Sequence, residues 1–521
     1  MRGSERSRYD FAVTLVPMIV VLTIIISIIV APDITGQAID SVRNFLGNDF
    51  GSYYLLVGLG FVVISTYIAF SKYGKIKLGN CEKPRFSTLE WAFMIFTSTM
   101  AADILFYSLH EWMYYWNVTP LDFNEMTQSQ KITWSETYSL FHWGVTPWIF
   151  YILPAVAYAY MMHVKRRYRQ KISEACRPVL GHRVDGWVGK TIDIVSVVAL
   201  LLATSTTFSV ATPLLSTALA EVFGIQDTTF LTIGVLATIT VIYTIAVVTG
   251  FKGISKVSSA CIVMFLTLVS LFLFNDNFRF IVEGAVNSIG NLAQNFLRLS
   301  TWTDPARLSG NGVTGVPQDW TVFYWAYWIA WSIATPFFIA KISEGRTIKQ
   351  LILGGLTSGV ACTFLSFTVF GGFGIAEQVH GNIQVAEMIA AGESPSRVIV
   401  EVFNQLPFPE ISLVVLVLAM VGFYASTFDA LTHVIASYSY KTIGPDEEPS
   451  RTSKIYWSLL FAALPCALLF SESTSYQLQG LSIIAAFPIS ILMIVVVVGF
   501  FKSVKGDRNG DKEYTARYRK F

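Results

Sequence analysis

Phe11-Ala-Val-Thr-Leu-Val-Pro-Met-Ile-Val-Val-Leu-Thr-Ile-Ile-Ile-Ser-Ile-Ile-Val-Ala31 contains no charged residue. A helix of roughly 20 such residues crosses the hydrocarbon core of a bilayer. The run exceeds the roughly 7–15 residue core of a cleaved signal, so it reads as a first membrane span. Eleven similar stretches follow, near 53–71, 88–116, 136–163, 191–221, 229–250, 254–276, 320–341, 350–374, 410–438, 455–471 and 476–501. Gly, Pro or charged clusters bound each of them. Alternating strands of about ten residues, the mark of an outer-membrane barrel, are absent.

Composition agrees. Of the 521 residues, 53% are hydrophobic and only 14% charged, against about 25% in an ordinary soluble domain. Disorder and collagen-like structure are excluded. The net charge of +2 disfavours a nucleic-acid partner. Five scattered cysteines with no CxxC imply neither a disulfide frame nor a metal site. No Walker A pattern supports ATP-driven pumping.

The basic residues orient the chain. With the N-terminus inside, all 37 Lys and Arg fall in inside segments except Arg43, Lys131, Arg279, Arg298, Arg307 and Arg397. That asymmetry places both termini in the cytoplasm. The cluster Lys165-Arg-Arg-Tyr-Arg-Gln-Lys171 serves as a topology anchor and could touch anionic lipid. Helical periodicity in the outside loops 277–319 and 375–409 predicts amphipathic helices, as around Phe280–Leu299. The tail 502–521 is charged.

Polar and aromatic groups inside spans need a reason. In Trp320-Thr-Val-Phe-Tyr-Trp-Ala-Tyr-Trp-Ile-Ala-Trp331, six of twelve residues are Trp or Tyr. An interfacial belt accounts for Trp320, but the run continues inward. Tyr327 and Trp331 share a helix face, and Trp328 flanks it. Ring faces attract cations, and quaternary ammonium groups, which have no N–H to donate, are usual guests of such cages. Trp143, Trp148 and Tyr151 of the fourth span could add walls, with Pro147 able to kink that helix. Core packing would explain any single ring, though less well the cluster.

Asp103 sits near the middle of the third span, where a carboxylate needs a partner, a proton or a cation. Small residues at 97–102 permit close approach or local unwinding. Glu111 and His142 read as structural. Hydroxyl clusters occur at Thr204-Ser-Thr-Thr207 and at Ser426-Thr427, the latter followed by Asp429. Hydroxyls are hard ligands suited to Na⁺, yet Ser and Thr also bond back to helix carbonyls.

The tryptophan-rich stretch, continuing to Ala340-Lys-Ile-Ser-Glu-Gly-Arg-Thr347, resembles the signature of the betaine/choline/carnitine transporter family. Phe141-His-Trp143, Pro147-Trp148 and Tyr151 resemble its fourth helix, and the likeness covers essentially the whole chain. It implies an all-α integral membrane protein of twelve transmembrane helices: two inverted five-helix repeats (a LeuT-like fold) preceded by two extra helices. The division would be 1–87 with the first two helices, 88–277 as first repeat, 278–319 as external connection, 320–501 as second repeat and 502–521 as tail. It implies a homotrimer in the cell's inner membrane, in some members responsive to osmotic stress.

The same resemblance assigns Trp143, Trp148, Tyr151, Tyr327, Trp328 and Trp331 to an aromatic binding box and Tyr114 to a substrate contact. Tyr327 stands where Trp is commoner. It assigns Ser426 and Thr427 to a sodium site, completed by carbonyls of Thr97, Met100 and Phe423. Span 5 pairs with span 10 by the repeat, which points to a second ion site near Thr204 and Thr207. Sodium-independent carnitine antiporters of the family carry Met and Arg where this chain has Thr335 and Cys261, which favours ion coupling. Asp103 resembles choline carriers, some proton-coupled. Choline lacks a carboxylate, whereas glycine betaine and carnitine bring one that an ionised Asp103 would repel.

The expected function is import of a quaternary ammonium compound, choline first, driven by Na⁺ or H⁺, without another cofactor. A sodium-independent exchanger of carnitine or butyrobetaine is the alternative, and a ligand-binding membrane sensor ranks below it. An intramembrane enzyme ranks last, since no HExxH or GxSxG motif occurs.

Overall fold

The computed structural model describes residues 9–508 except 100–101, 122, 124, 250–253, 311, 444–446 and 471–474. Among the described residues every named element is a helix, and extended pairing is limited to two isolated bridges, Tyr9 with Tyr440 and Lys77 with Thr347.

Helices cover each apolar stretch. They are α1 (Phe11–Val30), α2 (Pro32–Arg43), α3 (Gly51–Phe70), α4 (Thr88–Thr99), α5 (Ala102–Trp116), α6 (Gln128–His142), α7 (Val145–Ala159), α8 (Trp187–Phe223), α9 (Thr229–Thr249) and α10 (Ile254–Leu273). Then come α11 (Phe278–Thr301), α12 (Val322–Trp331), α13 (Thr335–Ile342), α14 (Ile348–His380), α15 (Pro409–Tyr438), α16 (Arg451–Phe470) and α17 (Ser475–Arg508). Nine helices are long and apolar enough to cross a membrane, or up to eleven if each bent pair is one span, among the described residues. In hydrocarbon a helix satisfies its own backbone, which is why the apolar runs take this form. The chain is therefore a multi-pass, all-α membrane protein.

Burial sorts these helices. In α1 only Val13, Pro17, Val21 and Ile28 are buried, one face of an otherwise apolar rod. Its exposed Ile19, Ile26 and Ile29 suit lipid. By contrast α12 is buried throughout. Helix α8 packs against α15, α16 and α17, while α7 packs against α12 and α5 against α15.

Two central spans are broken. The chain leaves helical geometry at Trp143 and Gly144, between α6 and α7. Pro147 follows in the first turn of α7, and its ring and missing N–H bar a helical bond to the Trp143 carbonyl four residues back. The Trp143 carbonyl, which Pro147 cannot serve, accepts from the Thr363 hydroxyl at 2.7 Å. The eighth span bends by 58° between Pro317–Trp331 and Thr335–Ile342. Pro336 again sits in the first turn of the new helix. Irregular backbone at this depth is tolerated where it lines a cavity or lies in protein.

The expected amphipathic helix is present as α11, turned 104° from Ser259–Leu273. Its inner face carries Ile281, Ser288, Leu292 and Leu299, while Val282, Val286 and Leu297 are exposed. Polar bonds fix it to α6: Ser288 to Glu136 at 2.7 Å and Asn287 to Thr133 at 2.7 Å.

Candidate binding cavity

The aromatic run of α12 places Trp328 at the meeting of α7 and the break before it. Its ring lies 4.8 Å from Tyr151, 5.4 Å from Trp143 and 5.6 Å from Trp148, centroid to centroid. One turn away, Trp331 lies 6.2 Å from Tyr327, edge to face. Two sequence-distant segments, 143–151 and 327–331, thus supply one aromatic wall.

A cavity of about 550 Å³ opens against this wall. Trp143, Tyr151, Tyr327, Trp328 and Trp331 line it, together with Asp103. That volume falls in the range of small-molecule sites, roughly 300–1,000 Å³. Trp148 stands behind Trp328, fully buried, with its indole N–H on Thr363. Tyr114 does not line the cavity. It stacks on Trp320 at 4.2 Å and bonds His110 at 2.9 Å.

Asp103 sits in the first turn of α5, one residue after Ala102 begins the helix. Its Oδ1 accepts the Ile104 backbone N–H at 3.1 Å. Its Oδ2 accepts the Tyr327 hydroxyl. The same Tyr327 hydroxyl meets the Thr207 hydroxyl of α8. A carboxylate, a phenol and a hydroxyl from three helices thus form a chain at the cavity wall.

Above the cavity the rings close ranks. Tyr107 contacts Trp143 at 5.4 Å and Tyr324 at 5.6 Å. Glu111, wholly buried, accepts the Trp143 indole N–H at 2.5 Å and the Tyr115 hydroxyl at 2.8 Å. Tyr115 also meets His142 Nδ1 at 2.7 Å, and His142 Nε2 meets Thr321 at 2.9 Å. This network ties α5, α6 and the start of the eighth span together. At its other end the cavity reaches Arg85, Gln170, Lys341, Glu448 and Lys454, residues of the basic-rich loops.

The expected ion ligands divide. Thr427 lines the cavity. Ser426 bonds back to the Phe423 carbonyl at 3.1 Å, within its own turn of α15. Thr204 bonds back to the Leu200 carbonyl at 2.9 Å, the ordinary helix arrangement. Thr207 instead faces Tyr327. Met100 lies outside the described residues, as does the side chain of Thr97. Thr335 also lines the cavity, and Cys261 is buried on α10.

Sequence reasoning passed over His433. It lines the cavity one turn beyond Asp429 on α15. The i, i+4 spacing of two ionisable groups within an apolar span was the available signal.

Comparison with known proteins follows this geometry. The family model described as BCCT, betaine/carnitine/choline family transporter, matches residues 12–509. A glycine betaine transporter, OpuD, of Bacillus subtilis is 29% identical over 491 residues, covering 93% of this chain and 92% of that protein. A carnitine transporter of Acinetobacter baumannii is 25% identical over 443 residues, 85% of this chain and 79% of its own length. The high-affinity choline transport protein of Escherichia coli K12 is 28% identical over 483 residues, 91% of this chain and 69% of its own.

Proposed function

Because the chain belongs to the betaine/carnitine/choline transporter family, we propose that it imports a quaternary ammonium compound, choline first, by cation-coupled alternating access. It is a transporter rather than an enzyme. The observation that carries the substrate reading is Asp103 on the cavity wall, beside five aromatic rings. A trimethylammonium head takes its attraction from ring faces, and these are Trp143, Tyr151, Tyr327, Trp328 and Trp331. Trp148 backs that wall from behind Trp328. A fixed carboxylate beside them favours a plain cation over a zwitterion carrying its own carboxylate. Glycine betaine and carnitine rank next. Tyr114 acts at a distance from the cavity, through its stack on Trp320.

The direction of the opening supports an inward-facing state. The mouth at Arg85, Gln170, Lys341 and Lys454 belongs to the segments assigned to the cytoplasm by their basic residues. In this reading both termini are cytoplasmic, the bilayer is the inner membrane, and three copies associate. The repeats span 88–277 and 320–501, after two extra helices and joined by 278–319, with the rings at their interface. The broken backbones at Gly144 and Ser332–Ala334 suit such a midplane site.

Coupling by Na⁺ draws on the oxygens of Phe423, Ser426 and Thr427, with the carbonyls of Thr97 and Met100 that the family resemblance adds; coupling by H⁺ draws on Asp103. Thr207 reaches the same region through Tyr327, with Thr204 one turn earlier. Thr335 stands where the sodium-independent exchangers carry Met, which ranks exchange second. The test is uptake into proteoliposomes under imposed Na⁺ or H⁺ gradients, with Ser426→Ala and Thr427→Ala compared with the parent. Loss of Na⁺ stimulation in these variants supports the sodium reading, and unchanged stimulation refutes it.

A further inference from the structure

Two polar groups stand on the wall of this cavity, Asp103 of the third span and Tyr327 of the aromatic run. Far apart in sequence, they touch in the structure: the Tyr327 hydroxyl donates to Asp103 Oδ2. We propose that Tyr327 is a specificity-determining residue that acts through Asp103, the pair forming one unit that turns an aromatic cage toward a cation without a carboxylate of its own. This rests on the transporter reading above.

An ionised carboxylate only accepts hydrogen bonds. Asp103 has one oxygen on the Ile104 N–H, within its own helix turn. The other oxygen has the Tyr327 phenol. Asp103 and Tyr327 are both buried, at 4% and 3% exposure, so water does not readily replace the phenol. Tyr327 in turn meets the Thr207 hydroxyl, which fixes the phenol between α5 and α8.

A Trp at 327 would also offer a donor, but from the fixed edge of a larger ring. A phenol places its O–H at the far end of a six-membered ring and can also accept, here from Thr207. Its ring meanwhile faces Trp331 and Tyr107, at 6.2 and 6.3 Å, as part of the box. One side chain therefore does two jobs: its ring faces the guest and its hydroxyl holds the carboxylate in place. The fixed charge then lies beside the ring wall that receives the cation, which rewards a positive guest and penalises a zwitterion.

The test is a double-mutant cycle in reconstituted full-length protein, with choline and glycine betaine uptake both measured. The variants are Tyr327→Phe, Asp103→Gly and the double variant. Tyr327→Phe should raise the KM for choline about ten-fold, the scale of one hydrogen bond to a charged group. The KM for glycine betaine should change much less. In the Asp103→Gly background the same substitution should add nothing, because its partner is gone. Additive effects, or an equal rise for both substrates, would make Tyr327 a wall of the box and no more, and would overturn the proposal.

If Tyr327→Phe is not recovered in folded form, Thr207→Val probes the same chain. It should raise the choline KM several-fold, and only while Asp103 is present; an unchanged KM overturns the proposal. The parent protein separates this from the substrate reading. Should it carry glycine betaine and not choline, the choline reading falls. The cycle scored on glycine betaine then still requires coupled effects, and additive effects there overturn the pair.

Discussion

Glu111 Oε2 and Trp143 Nε1 are 2.5 Å apart, joining a wholly buried carboxyl group to a ring of the cavity wall. The other oxygen of Glu111 holds Tyr115, and through it His142 and Thr321. Removing Glu111 leaves the Trp143 indole N–H without its acceptor in a dry site, at about 1–3 kcal/mol, while Tyr115 keeps its contact with His142 Nδ1. Glu111→Ala should therefore lower the thermal midpoint of the purified transporter by several degrees and weaken substrate binding. Glu111→Gln keeps an acceptor for Trp143 and should recover most of the affinity. Differential scanning fluorimetry and tryptophan quenching by substrate check both, and equal losses in the two variants would contradict this role.

Trp328 touches three other rings of the site, Tyr151, Trp143 and Trp148. Trp331 faces the cavity one turn on. A desolvated cation over a Trp face is worth about 2 kcal/mol. Trp331→Leu should cost at least ten-fold in affinity, and Trp328→Leu more, because neighbouring rings lose their support. Binding titrations with a trimethylammonium compound decide it. Retained affinity in Trp331→Leu would move the site elsewhere.

Gly359 on α14 leaves room for Trp148, since a Cβ there would run into the indole ring. In an unconstrained helix, Gly to Ala stabilises by about 1 kcal/mol. Here overpacking costs about 1–3 kcal/mol and should win. Gly359→Ala is thus expected to lower the thermal midpoint and, by pushing Trp148 onto Trp328, to raise KM. A raised midpoint would show that the ring yields freely.

The sequence disclosed the membrane class and the family because both rest on local signals. An uncharged run such as Phe11–Ala31 declares itself, and so does the density of Trp and Tyr from 320 to 331. What it left open depended on neighbours. The kink that Pro147 signals falls four residues before it, at Trp143 and Gly144, and the spare Trp143 carbonyl is taken up by Thr363, 220 positions away. Tyr114 and Trp148 are aromatic in the right spans, but their faces point to Trp320 and to the back of Trp328. Helical periodicity gives the side of one helix and not what stands opposite. The link between Asp103 and Tyr327 joins residues 224 positions apart, beyond reach of any local pattern.

Outside the spans, Arg177 grips Glu174 and Asp185, with contacts of 2.7 and 2.6 Å. The hydrogen bond from Arg177 holds the Asp185 carboxyl below its ordinary value. Burial pushes Glu174 upward, but Arg177 and Arg167 outweigh it and the net direction is also down. Carboxyls lowered in the folded state stabilise it above their unfolded pKa, and that stability is lost as pH falls through the folded value. Arg177→Met should therefore lower the thermal midpoint at pH 7. The gap from the parent should shrink below about pH 4, where carboxyls take up protons. Thermal scans between pH 7 and 3.5 test the sign, and a gap that widens on acidification would contradict it.

The most direct measurement is radiolabelled uptake into proteoliposomes, screening choline, glycine betaine and carnitine under inward Na⁺ and H⁺ gradients. The account predicts concentrative choline uptake under at least one gradient. It also predicts that Asp103→Gly lowers choline uptake relative to glycine betaine. No uptake of any trimethylammonium compound under either gradient, or an unchanged substrate ratio in Asp103→Gly, would contradict it.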